Sequence, residues 1–405
     1  MKTVIYKENP AAAAAHIRAG ELVAVPTETV YGLAADGLNA AAVEQLYAVK
    51  NRPAVKPLSL MVPGPEALET YGEDVPPGAY LLAEKFWPGP LTLVLKAKSL
   101  IPPVVLAGGA TVGLRCPAQE QTLALLRACG RPLAAPSANP SGAPSAKTAA
   151  EVLAYFNGKI SAVIDGGPCA LGTESTLADL TGERIRILRA GALSEEELLR
   201  PLCDSLCLVG LTGGTGTGKT TAARAAAALG ALCIDADAVY HELCQTEAAM
   251  LSEIEGRFPG VVEEGVLQRK KLGSLVFRDA EALAELSRIT EYYISREVDR
   301  RLAAHALRGG KYAVIDAIDI LDTPLEKRLA AVVGVTAPKQ TRVERVAARD
   351  GLSPEYARLR VEAQPPDEFY EKRCAVCLRN DGAQEAFYTL AAQTFQKLFN
   401  INEET

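Results

Sequence analysis

The chain has 405 residues, a length that corresponds to two or three domains. Of these residues 48% are hydrophobic and 23% are charged, a composition typical of globular protein. Its formal net charge of -6 at pH 7 argues against nucleic-acid binding by bulk positive charge, and no apolar run approaches the roughly 18 residues that a membrane-spanning helix requires. Nine cysteines without an export signal predict reduced thiols and a cytoplasmic protein that has no membrane anchor.

In the first half, short β-branched runs bounded by turn residues predict strands. These runs are ELVAVPT, PLSLMV, LTLVLKA, TVGLRCP, PLAAPSAN, SAVIDGG and RIRILRA. Between them, AAAVEQLYAV and EQTLALLRACG have the period of helices, whereas PTETVYGLAADG is predicted to be a rigid turn of small and hydroxyl residues. The pattern indicates an α/β domain with a large, partly mixed sheet.

A capped helix start marks a seam between the two halves. Ser194 opens SEEELLRPLCDS, whose acidic first turn is typical of a helix N-terminus, and we expect Pro201 to break that helix. A new apolar strand follows at Leu206–Leu211. We therefore expect two domains, 1–204 and 205–405, with no internal repeat shared between them.

In the second half, strand and helix patterns alternate. The strands are LCLVGLT, ALCIDAD, KYAVIDA and AAVVGVTA, and the remainder up to the end is predicted to be helical. This βαβ rhythm predicts an α/β domain with a parallel sheet flanked by helices, joined by right-handed crossovers.

Residues 213–220 read GGTGTGKT and fit the pattern GxxxxGK[ST] between a predicted strand and a predicted helix. Gly213, Gly216 and Gly218 would let successive N–H groups point into one anion hole at the helix N-terminus. Lys219 is predicted to reach the β- and γ-phosphates of ATP, and the Thr220 hydroxyl to ligate Mg²⁺. The predicted ATP contacts of this loop are Gly213, Gly214, Thr215, Gly216, Thr217, Gly218, Lys219 and Thr220.

The second strand of this half supplies two carboxylates. Asp235 and Asp237 are predicted to lie at its carboxyl end, where open α/β sheets bind ligands, with both side chains on the same side. One carboxylate could hold the Mg²⁺ shell while the other accepts a proton from an attacking hydroxyl group.

From Leu208 to Gly382 the chain resembles dephospho-CoA kinase. GLTGGTGTGKT, LGALCIDADAV, LQRKKLGSLVF, RVAARDGLS, RVEAQ and RNDG occur in the order and spacing of that family. The resemblance implies a P-loop kinase fold with a helical lid, and ATP-dependent phosphorylation of the ribose 3′-hydroxyl of dephospho-CoA. It also implies that Asp237 is the catalytic base, that Asp235 supports it, and that Asn380 contacts ATP near the adenine.

The lid implied by the resemblance carries arginines. Arg342, Arg345 and Arg349 are spaced i, i+3 and i+7, so they share one helix face, which is either solvated or directed at phosphate. The motif RVAARDGLS favours phosphate contact, and a catalytic role, at Arg349. Arg269 and Arg360 also match family positions.

Three departures from the family pattern fall on the acceptor side of the site. IDILD at 318–322 replaces PLLFE, Glu291–Tyr292 replaces a His-Pro pair, and Ala375 replaces an aspartate. ATP binding is therefore expected to follow the family. The acceptor stays open, with a nucleotide switch or a kinase of different acceptor as the alternatives.

Cations and polar side chains of the first half gather at predicted strand ends and turns. They are Lys50, Arg52, Lys56, Arg115, Ser137, Asn139, Ser141, Thr173, Ser175, Thr176 and Arg189. Such a set is typical of a cleft for a polyanion such as a nucleotide triphosphate. An RNA-binding module without synthase activity is the alternative, since a cationic concave surface also binds phosphate backbones.

From Lys2 to Leu193 the chain resembles the YrdC-like threonylcarbamoyl-AMP synthases. The motifs are PTETVYGL, the K-x-R at Lys50–Arg52 and SAN at 137–139. The resemblance implies that ATP, L-threonine and bicarbonate or CO₂ give threonylcarbamoyl-AMP and pyrophosphate, for the threonylcarbamoyl modification of adenosine 37 in tRNA. Direct contact with tRNA or with tRNA-modification proteins stays open.

Motif positions assign the ligand contacts that this second resemblance implies. Threonine contacts Thr29, Arg115 and Ser175. ATP contacts Lys50, Arg52, Lys56, Thr111, Ser137, Asn139, Ser145 and Arg189. Met61 stands where relatives often have a histidine, and a thioether cannot donate the same hydrogen bond, so the threonine site could be altered.

Cys374 and Cys377 form a lone CxxC that is either a redox or zinc pair or two small residues on a buried segment. The second interpretation is favoured because a structural zinc site needs four ligands and no further Cys or His pair lies near in the sequence.

Overall fold

The computed structural model describes residues 2–7, 9–53, 55–321 and 323–401. The chain divides into two compact units, Met1–Leu202 with Leu307–Gly309 and Cys203–Ala306 with Gly310–Thr405. Both are α/β, and the predicted fold class is confirmed because the first contains a large mixed sheet and the second a parallel sheet. None of the described helices is long and apolar enough to cross a membrane.

The first unit is built on a sheet of eleven described strands. They are β1 (Val4–Tyr6), β2 (Val23–Val25), β3 (Gly32–Asp36), β4 (Ser59–Met61), β5 (Gly72–Glu73), β6 (Leu91–Ala97), β7 (Thr111–Arg115), β8 (Leu133–Ala134), β9 (Ala162–Ile164), β10 (Thr176–Asp179) and β11 (Arg186–Arg189). The order across the sheet is β1-β9-β2-β3-β8-β4-β7-β6-β10-β11, with β5 paired to β6. Because β4 and β7 are parallel, their carboxyl ends meet at one edge, with Met61 beside Arg115.

Six helices of this unit lie between the strands among the described residues. They are α1 (Ala14–Arg18), α2 (Ala40–Lys50), α3 (Ala67–Tyr71), α4 (Pro77–Phe86), α5 (Glu120–Cys129) and α6 (Ala149–Phe156). The two predicted helices correspond to α2 and α5. Asn39 begins α2 by accepting the N–H groups of Ala41 and Ala42, and Asn51 ends it in the left-handed conformation. Lys50 is therefore the last residue of α2.

The segment PTETVYGLAADG, predicted to be a rigid turn, contains strand β3. All five residues of GLAAD are buried, and β3 pairs with β2 on one side and β8 on the other. Its small residues let α1 and α2 pack against this central strand. The segment was predicted to be a turn because GLAAD has no β-branched side chain.

Helix α7 (Glu195–Asp204) begins with the predicted cap but does not break at Pro201. Ser194 Oγ accepts the N–H of Glu197 at 3.2 Å, and Glu197 Oε2 accepts the N–H of Ser194 at 2.8 Å. The prediction of a break was wrong because a proline removes only one i→i−4 hydrogen bond, and the remaining bonds can hold the helix together.

The second unit contains a sheet of five parallel strands in the order β13-β16-β12-β17-β18, and a separate hairpin of β14 and β15. The strands are β12 (Cys207–Thr212), β13 (Leu232–Asp235), β14 (Val262–Glu263), β15 (Val266–Leu267), β16 (Tyr312–Asp316), β17 (Ala331–Thr336) and β18 (Val376–Arg379). Strand β18 corrects the expectation that only helices follow AAVVGVTA. Its run VCLR is short and overlaps the CxxC at Val376 and Cys377, so it carries little strand signal.

The helices of the second unit flank this sheet or extend from it. They are α8 (Lys219–Ala228), α9 (Ala236–Thr246), α10 (Ala248–Arg257), α11 (Arg269–Val276), α12 (Ala280–Leu307), α13 (Lys339–Asp350), α14 (Pro354–Glu362), α15 (Asp367–Arg373) and α16 (Gln384–Ile401). Helices α8 and α16 pack on the strands, where Val209, Val333 and Phe395 belong to one buried core. Helices α13 and α14 share a small core of their own, and this pair corresponds to the expected helical lid.

Candidate active sites

The loop between β12 and α8 turns through three glycines in the left-handed region. Their φ angles are 140° at Gly213, 79° at Gly216 and 108° at Gly218. A Cβ at Gly213 would collide with the carbonyl oxygen of Val335, and one at Gly218 with the amide of Asn380. The glycines thus let the loop pack closely against its neighbours. This loop, the P-loop cradle, leads into the N-terminus of α8, an arrangement that favours anions.

Lys219, the first residue of α8, faces the end of strand β16. Its Nζ donates to the carbonyl oxygen of Gly213 at 3.0 Å and lies 3.9 Å from Oδ1 of Asp316. Burial raises the pKa of Asp316 to about 6, although the charge of Lys219 opposes the shift. Asp316 was not among the predicted site residues, although its strand ends in VID just as the strand of Asp235 ends in CID.

Asp235 and Asp237 lie on different elements, so the expectation that both end the strand was wrong for Asp237. Asp235 ends β13, opposite Asp316 in the register, and its Oδ1 accepts the N–H of Ala238 at 3.0 Å as the cap of α9. Asp237 is already in the first turn of that helix and is exposed. Its carboxylate has no hydrogen-bond partner among the described residues. Asp237 therefore keeps its carboxylate available to a ligand, whereas that of Asp235 is partly engaged.

The three arginines of α13 share one face, and that face meets the P-loop. Nε of Arg342 donates to the carbonyl oxygen of Thr215 at 3.1 Å, and Nη1 of Arg345 donates to that of Gly216 at 3.2 Å. Nη2 of Arg349 lies 3.4 Å from Oγ1 of Thr215. Arg342 is buried, so the interpretation of this face as solvated is wrong for it.

Arg349 is the most exposed of the three and forms a charged cluster with α14. It donates to Asp350 Oδ1 at 2.7 Å, and Arg360 donates to Asp350 Oδ2 at 2.8 Å. The carboxylate therefore holds two guanidinium groups together. Arg269 is engaged differently, with its guanidinium 5.7 Å from the centre of the Tyr240 ring.

Two amide side chains complete the cradle. Gln364 Oε1 accepts the N–H of Thr215 at 2.6 Å, and Asn380 Nδ2 donates to the carbonyl oxygen of Thr217 at 2.7 Å. Gln364 was missed although it belongs to the motif RVEAQ. Thr217 is buried and donates to the carbonyl of Gly214 at 2.8 Å, whereas Thr220 is exposed in the first turn of α8.

The altered acceptor-side segment continues from β16. The carbonyl oxygen of Ile318 accepts the Thr212 hydroxyl at 2.8 Å, Ile320 and Leu321 are buried, and Asp319 is exposed. Asp322, the last residue of IDILD, lies outside the described residues.

The cysteines of the CxxC are free thiols, and both sulfurs lie near the position that a Cβ of Gly334 would take, at 2.9 Å for Cys374 and 3.4 Å for Cys377. Burial raises the pKa of Cys374 to about 11 and also raises that of Cys377. Across the described ranges, no group of three or more His, Cys, Asp or Glu side chains could hold a metal ion.

In the first unit, Lys50 lies at the centre of the predicted polyanion cleft. It is buried, and its Nζ donates to the carbonyl oxygens of Ser137 and Asn139. Burial lowers its pKa to about 8, the charge of Arg52 adds to the shift, and Glu174 opposes it. The structure therefore brings Lys50 to the SAN loop, which contains two other predicted ATP contacts, Ser137 and Asn139.

The other two cations of the K-x-R segment lie on the loop after α2. Nη2 of Arg52 donates to the carbonyl oxygen of Pro57 at 3.0 Å, and Lys56 is exposed. Thr111 begins β7 and Arg115 ends it, so these two residues are about 13 Å apart along the strand. Within the described part of the chain, no hydrogen bond or ion pair joins Thr111 to the other predicted ATP contacts.

Arg115 and Thr29, both predicted to contact threonine, are in direct contact. Nη2 of Arg115 donates to Oγ1 of Thr29 at 2.8 Å and to Oε1 of Glu28 at 2.6 Å, and its Nε donates to the carbonyl oxygen of Gly89 at 3.2 Å. Arg115 and Glu28 have side chains that are only 8% and 11% exposed, so they form a buried ion pair.

Ser175 and Arg189 form a second group of predicted contacts. Nη2 of Arg189 donates to Oγ of Ser175 at 3.0 Å, and Nη1 lies 2.5 Å from Oε2 of Glu174. Oγ of Ser145 donates to the other oxygen of Glu174 at 3.2 Å. Glu174 thus connects two of the predicted ATP contacts.

Comparison with known proteins identifies each half. Residues 15–191 match the Sua5/YciO/YrdC family model, described as telomere recombination, and residues 207–385 match the CoaE model, described as dephospho-CoA kinase. A dephospho-CoA kinase of Thermobifida fusca is 36% identical over 192 residues, which cover 47% of this chain and 95% of that protein. A Mycobacterium tuberculosis protein provisionally named a threonylcarbamoyl-AMP synthase is 37% identical over 196 residues, covering 48% of this chain and 89% of that protein.

The chain belongs to both families, one in each half. The threonylcarbamoyl-AMP synthase of Pyrococcus abyssi is 48% identical over 186 residues, which cover 46% of this chain and 55% of that protein. The chain therefore spans about half the length of this relative. Membership of the two families supports the use of ATP in both halves.

The site residues that sequence analysis missed are mainly carboxylates. In the synthase-family unit they are Glu28 and Glu174, which pair with predicted ligand-binding arginines, and in the kinase-family unit Asp316 pairs with Lys219. Glu28 belongs to the motif PTETVYGL, and Glu174 lies between Thr173 and Ser175, which were both among the predicted polar residues. Met61, the departure in the synthase family, is buried beside Arg115 in the register, and its Cε would lie 3.2 Å from a Cβ at Gly32.

Proposed function

We propose that the chain is a bifunctional enzyme with one active site in each unit. The first forms threonylcarbamoyl-AMP from L-threonine, bicarbonate or CO₂, and ATP. The second phosphorylates the 3′-hydroxyl of dephospho-CoA with ATP to give coenzyme A. We propose that the activities divide between residues 204 and 205, and that both reactions take place in the cytoplasm.

The P-loop cradle and the position of Lys219 carry the kinase half of the proposal. The cradle and the α8 N-terminus would hold the β- and γ-phosphates, while Lys219 neutralises their charge. The 3′-hydroxyl oxygen attacks the γ-phosphorus, the bond to the β-phosphate oxygen breaks, and ADP leaves. Asp237 accepts the hydroxyl proton, since its carboxylate is exposed and unengaged among the described residues.

Mg²⁺ fits the hard oxygen donors at this site. Thr220 and the carboxylates of Asp235 and Asp316 would hold the ion or its water shell. Mg²⁺ usually takes one or two protein carboxylates plus substrate phosphates, so the site needs no cage of three acidic side chains. When bound, the ion would neutralise charge on the transferred phosphoryl group.

The cations around the SAN loop and the Ser175 turn carry the synthase half. Lys50, Arg52 and Arg189 would neutralise the triphosphate, while Arg115 and Thr29 receive threonine. The threonine amine takes up CO₂ and loses a proton, the carbamate oxygen attacks the α-phosphorus, and pyrophosphate leaves. The protein supplies positioning and charge stabilisation.

Product analysis of the purified chain tests both halves. One tube contains ATP, Mg²⁺, threonine and bicarbonate, and the other contains ATP, Mg²⁺ and dephospho-CoA. We expect threonine-dependent pyrophosphate and threonylcarbamoyl-AMP in the first, and ADP with coenzyme A in the second. ATP hydrolysis without coenzyme A would instead favour a switch or another acceptor.

We further propose that threonylcarbamoyl-AMP supplies the threonylcarbamoyl modification of tRNA adenosine 37. RNA binding measured over a salt series examines direct contact with tRNA, because each neutralised phosphate adds to the salt dependence of affinity. Strong RNA binding without threonine-dependent pyrophosphate release would favour an RNA-binding module instead.

A further inference from the structure

The guanidinium of Arg115 has most of its donors already engaged. Nη2 donates to Glu28 and Thr29, and Nε donates to the carbonyl oxygen of Gly89. An arginine has five N–H donors, so two remain, and both are on Nη1. Among the described residues, no protein acceptor meets Nη1. The group is thus oriented with a single nitrogen left for a ligand.

Glu28 fixes this orientation from two sides. Oε1 accepts from Arg115 at 2.6 Å, and Oε2 accepts the N–H of Ala118 at 2.9 Å. Because each oxygen has its own donor and the side chain is buried, the carboxylate cannot rotate without losing a charge-assisted hydrogen bond. It therefore ties the turn before β3 to the residues after β7.

Thr27 fixes the direction of the hydroxyl bonds beside the arginine. Its Oγ1 lies 2.6 Å from the carbonyl oxygen of Val30, which cannot donate, so the single hydroxyl proton of Thr27 belongs to that bond. The proton of Thr29 is then the one available for the 2.8 Å contact between Thr27 and Thr29, although Oγ1 of Thr27 also accepts the N–H groups of Thr29 at 3.1 Å and Val30 at 3.2 Å. Thr29 also accepts from Arg115, which leaves it only acceptor capacity toward a ligand.

We propose that Glu28 and Thr27 are positioning residues of the amino-acid subsite, an inference that rests on the proposed synthase function. Glu28 directs Nη1 of Arg115 at the substrate carboxylate. Thr27 makes Thr29 an acceptor for a donor group of the substrate, its amine or its hydroxyl. Glu28 also balances the charge of Arg115, so the subsite favours a zwitterionic amino acid over a free anion such as phosphate.

The experiment uses the full chain and compares Glu28→Ala and Glu28→Gln with two controls. Glu44→Gln changes an exposed carboxylate on α2, and Glu174→Gln changes the carboxylate that pairs with the ATP-side Arg189. Threonine-dependent pyrophosphate release gives KM for threonine and for ATP, and calorimetry gives threonine affinity without turnover. Thermal unfolding verifies that each variant is folded.

We expect Glu28→Ala to raise KM for threonine about 10- to 100-fold, the scale of a lost charged hydrogen bond, with KM for ATP within about twofold of wild type. Glu28→Gln, which keeps the shape, should recover part of the affinity and should become sensitive to inorganic phosphate competing with threonine. Glu174→Gln should mainly raise KM for ATP, with a smaller change for threonine because Arg189 also donates to Ser175, and Glu44→Gln should change neither.

Thr27→Val and Thr27→Ser examine the second positioning residue. The valine should weaken threonine binding about five- to tenfold, the scale of one neutral hydrogen bond, and the serine should restore it. Equal changes in both KM values, a glutamine variant as defective as the alanine, or no competition by phosphate in Glu28→Gln would overturn the proposal. If the wild type binds threonine without releasing pyrophosphate, the proposed synthase function is wrong. The threonine affinities of the variants, measured by calorimetry, still test whether Glu28 and Thr27 position the subsite.

Discussion

Lys50 combines a buried ammonium group with a proposed role in binding the triphosphate of ATP. Its pKa of about 8 is low because burial disfavours the charged form, so the ammonium loses its proton near the upper end of the physiological range. We predict that kcat/KM for ATP in the synthase reaction falls above pH 8, because the neutral amine no longer attracts phosphate. A pH profile of threonine-dependent pyrophosphate release measures this.

Lys50→Arg is the matched variant for that profile, since the guanidinium stays charged at all accessible pH values. It should lose the decline above pH 8 even if its overall rate is lower. If kcat/KM of Lys50→Arg fell over the same pH range as that of the wild type, the titrating group would be a residue other than Lys50.

Asp316 should make the stability of the kinase unit depend on pH. Its folded pKa of about 6 is above the ordinary value of 3.8, so the folded state binds the proton more tightly than the unfolded state. The stabilisation is fully present below pH 3.8 and is lost as the pH rises through about 6. We predict that Asp316→Asn raises the free energy of unfolding at pH 8 by about 1–3 kcal/mol.

Denaturant unfolding at pH 8 and pH 5 measures this difference, with Asp319→Asn as the exposed control on the same segment. The gain from Asp316→Asn should shrink at pH 5, where the native carboxyl is largely protonated. An equal gain at both pH values would show that the carboxyl does not titrate near 6.

Residue types were easier to predict than their partners. The cations and the P-loop lysine stand in motifs whose chemistry is known, so Lys50, Arg115 and Lys219 could be selected from sequence. Glu28 and Glu174 were not selected because acidic side chains are not expected in segments that bind anions. Only the folded geometry shows that each is paired with an arginine.

The P-loop is an element whose shape excludes side chains. At Gly216, φ is 79°, and a Cβ would lie 2.8 Å from the carbonyl oxygen of Arg342. We predict that Gly216→Ala destabilises the kinase unit by about 1–3 kcal/mol and lowers coenzyme A formation at least tenfold, since the loop must move away from α13. Thermal unfolding and kinase kinetics measure the two effects.

Gly256→Ala is the control for the loop variant. Gly256 lies within α10, has no left-handed φ, and a Cβ there meets nothing within 4 Å. It should raise stability by about 0.5–1 kcal/mol and leave coenzyme A formation unchanged. Similar losses in both variants would refute the explanation based on loop shape.

Elements with strong periodicity could be predicted, and those stabilised by tertiary packing could not. Strands β12, β13, β16 and β17 of the kinase unit and helices α2 and α5 follow from their patterns, whereas the parallel strand β18 does not. Strand β3 consists of GLAAD, whose burial in the middle of a sheet outweighs its low strand propensity. Asp237 was misplaced because the cap formed by Asp235 starts helix α9 at Ala236, before the end of the predicted strand at Asp237.

At the scale of the whole molecule, the proposal predicts two independent activities. Lys219→Ala should reduce coenzyme A formation about 10²- to 10³-fold, the scale of losing one charge-stabilising group, and should leave threonylcarbamoyl-AMP formation intact. Arg52→Ala should have the opposite pattern. Each variant is thus the other's control, and loss of both products in a folded variant would contradict separate sites.

The position of strand β9 has a consequence for synthesis on the ribosome. Val4 and Val23 both lie beside Ala162, so β1 and β2 share a neighbour that is translated much later. At about 5–20 residues per second, the nascent chain carries β1 unpaired for on the order of ten seconds. During that time, the exposed backbone of β1 and one side of β2 can pair with other chains. Slower translation ahead of Ala162 should therefore increase aggregation, whereas slower translation after Ile164 should not.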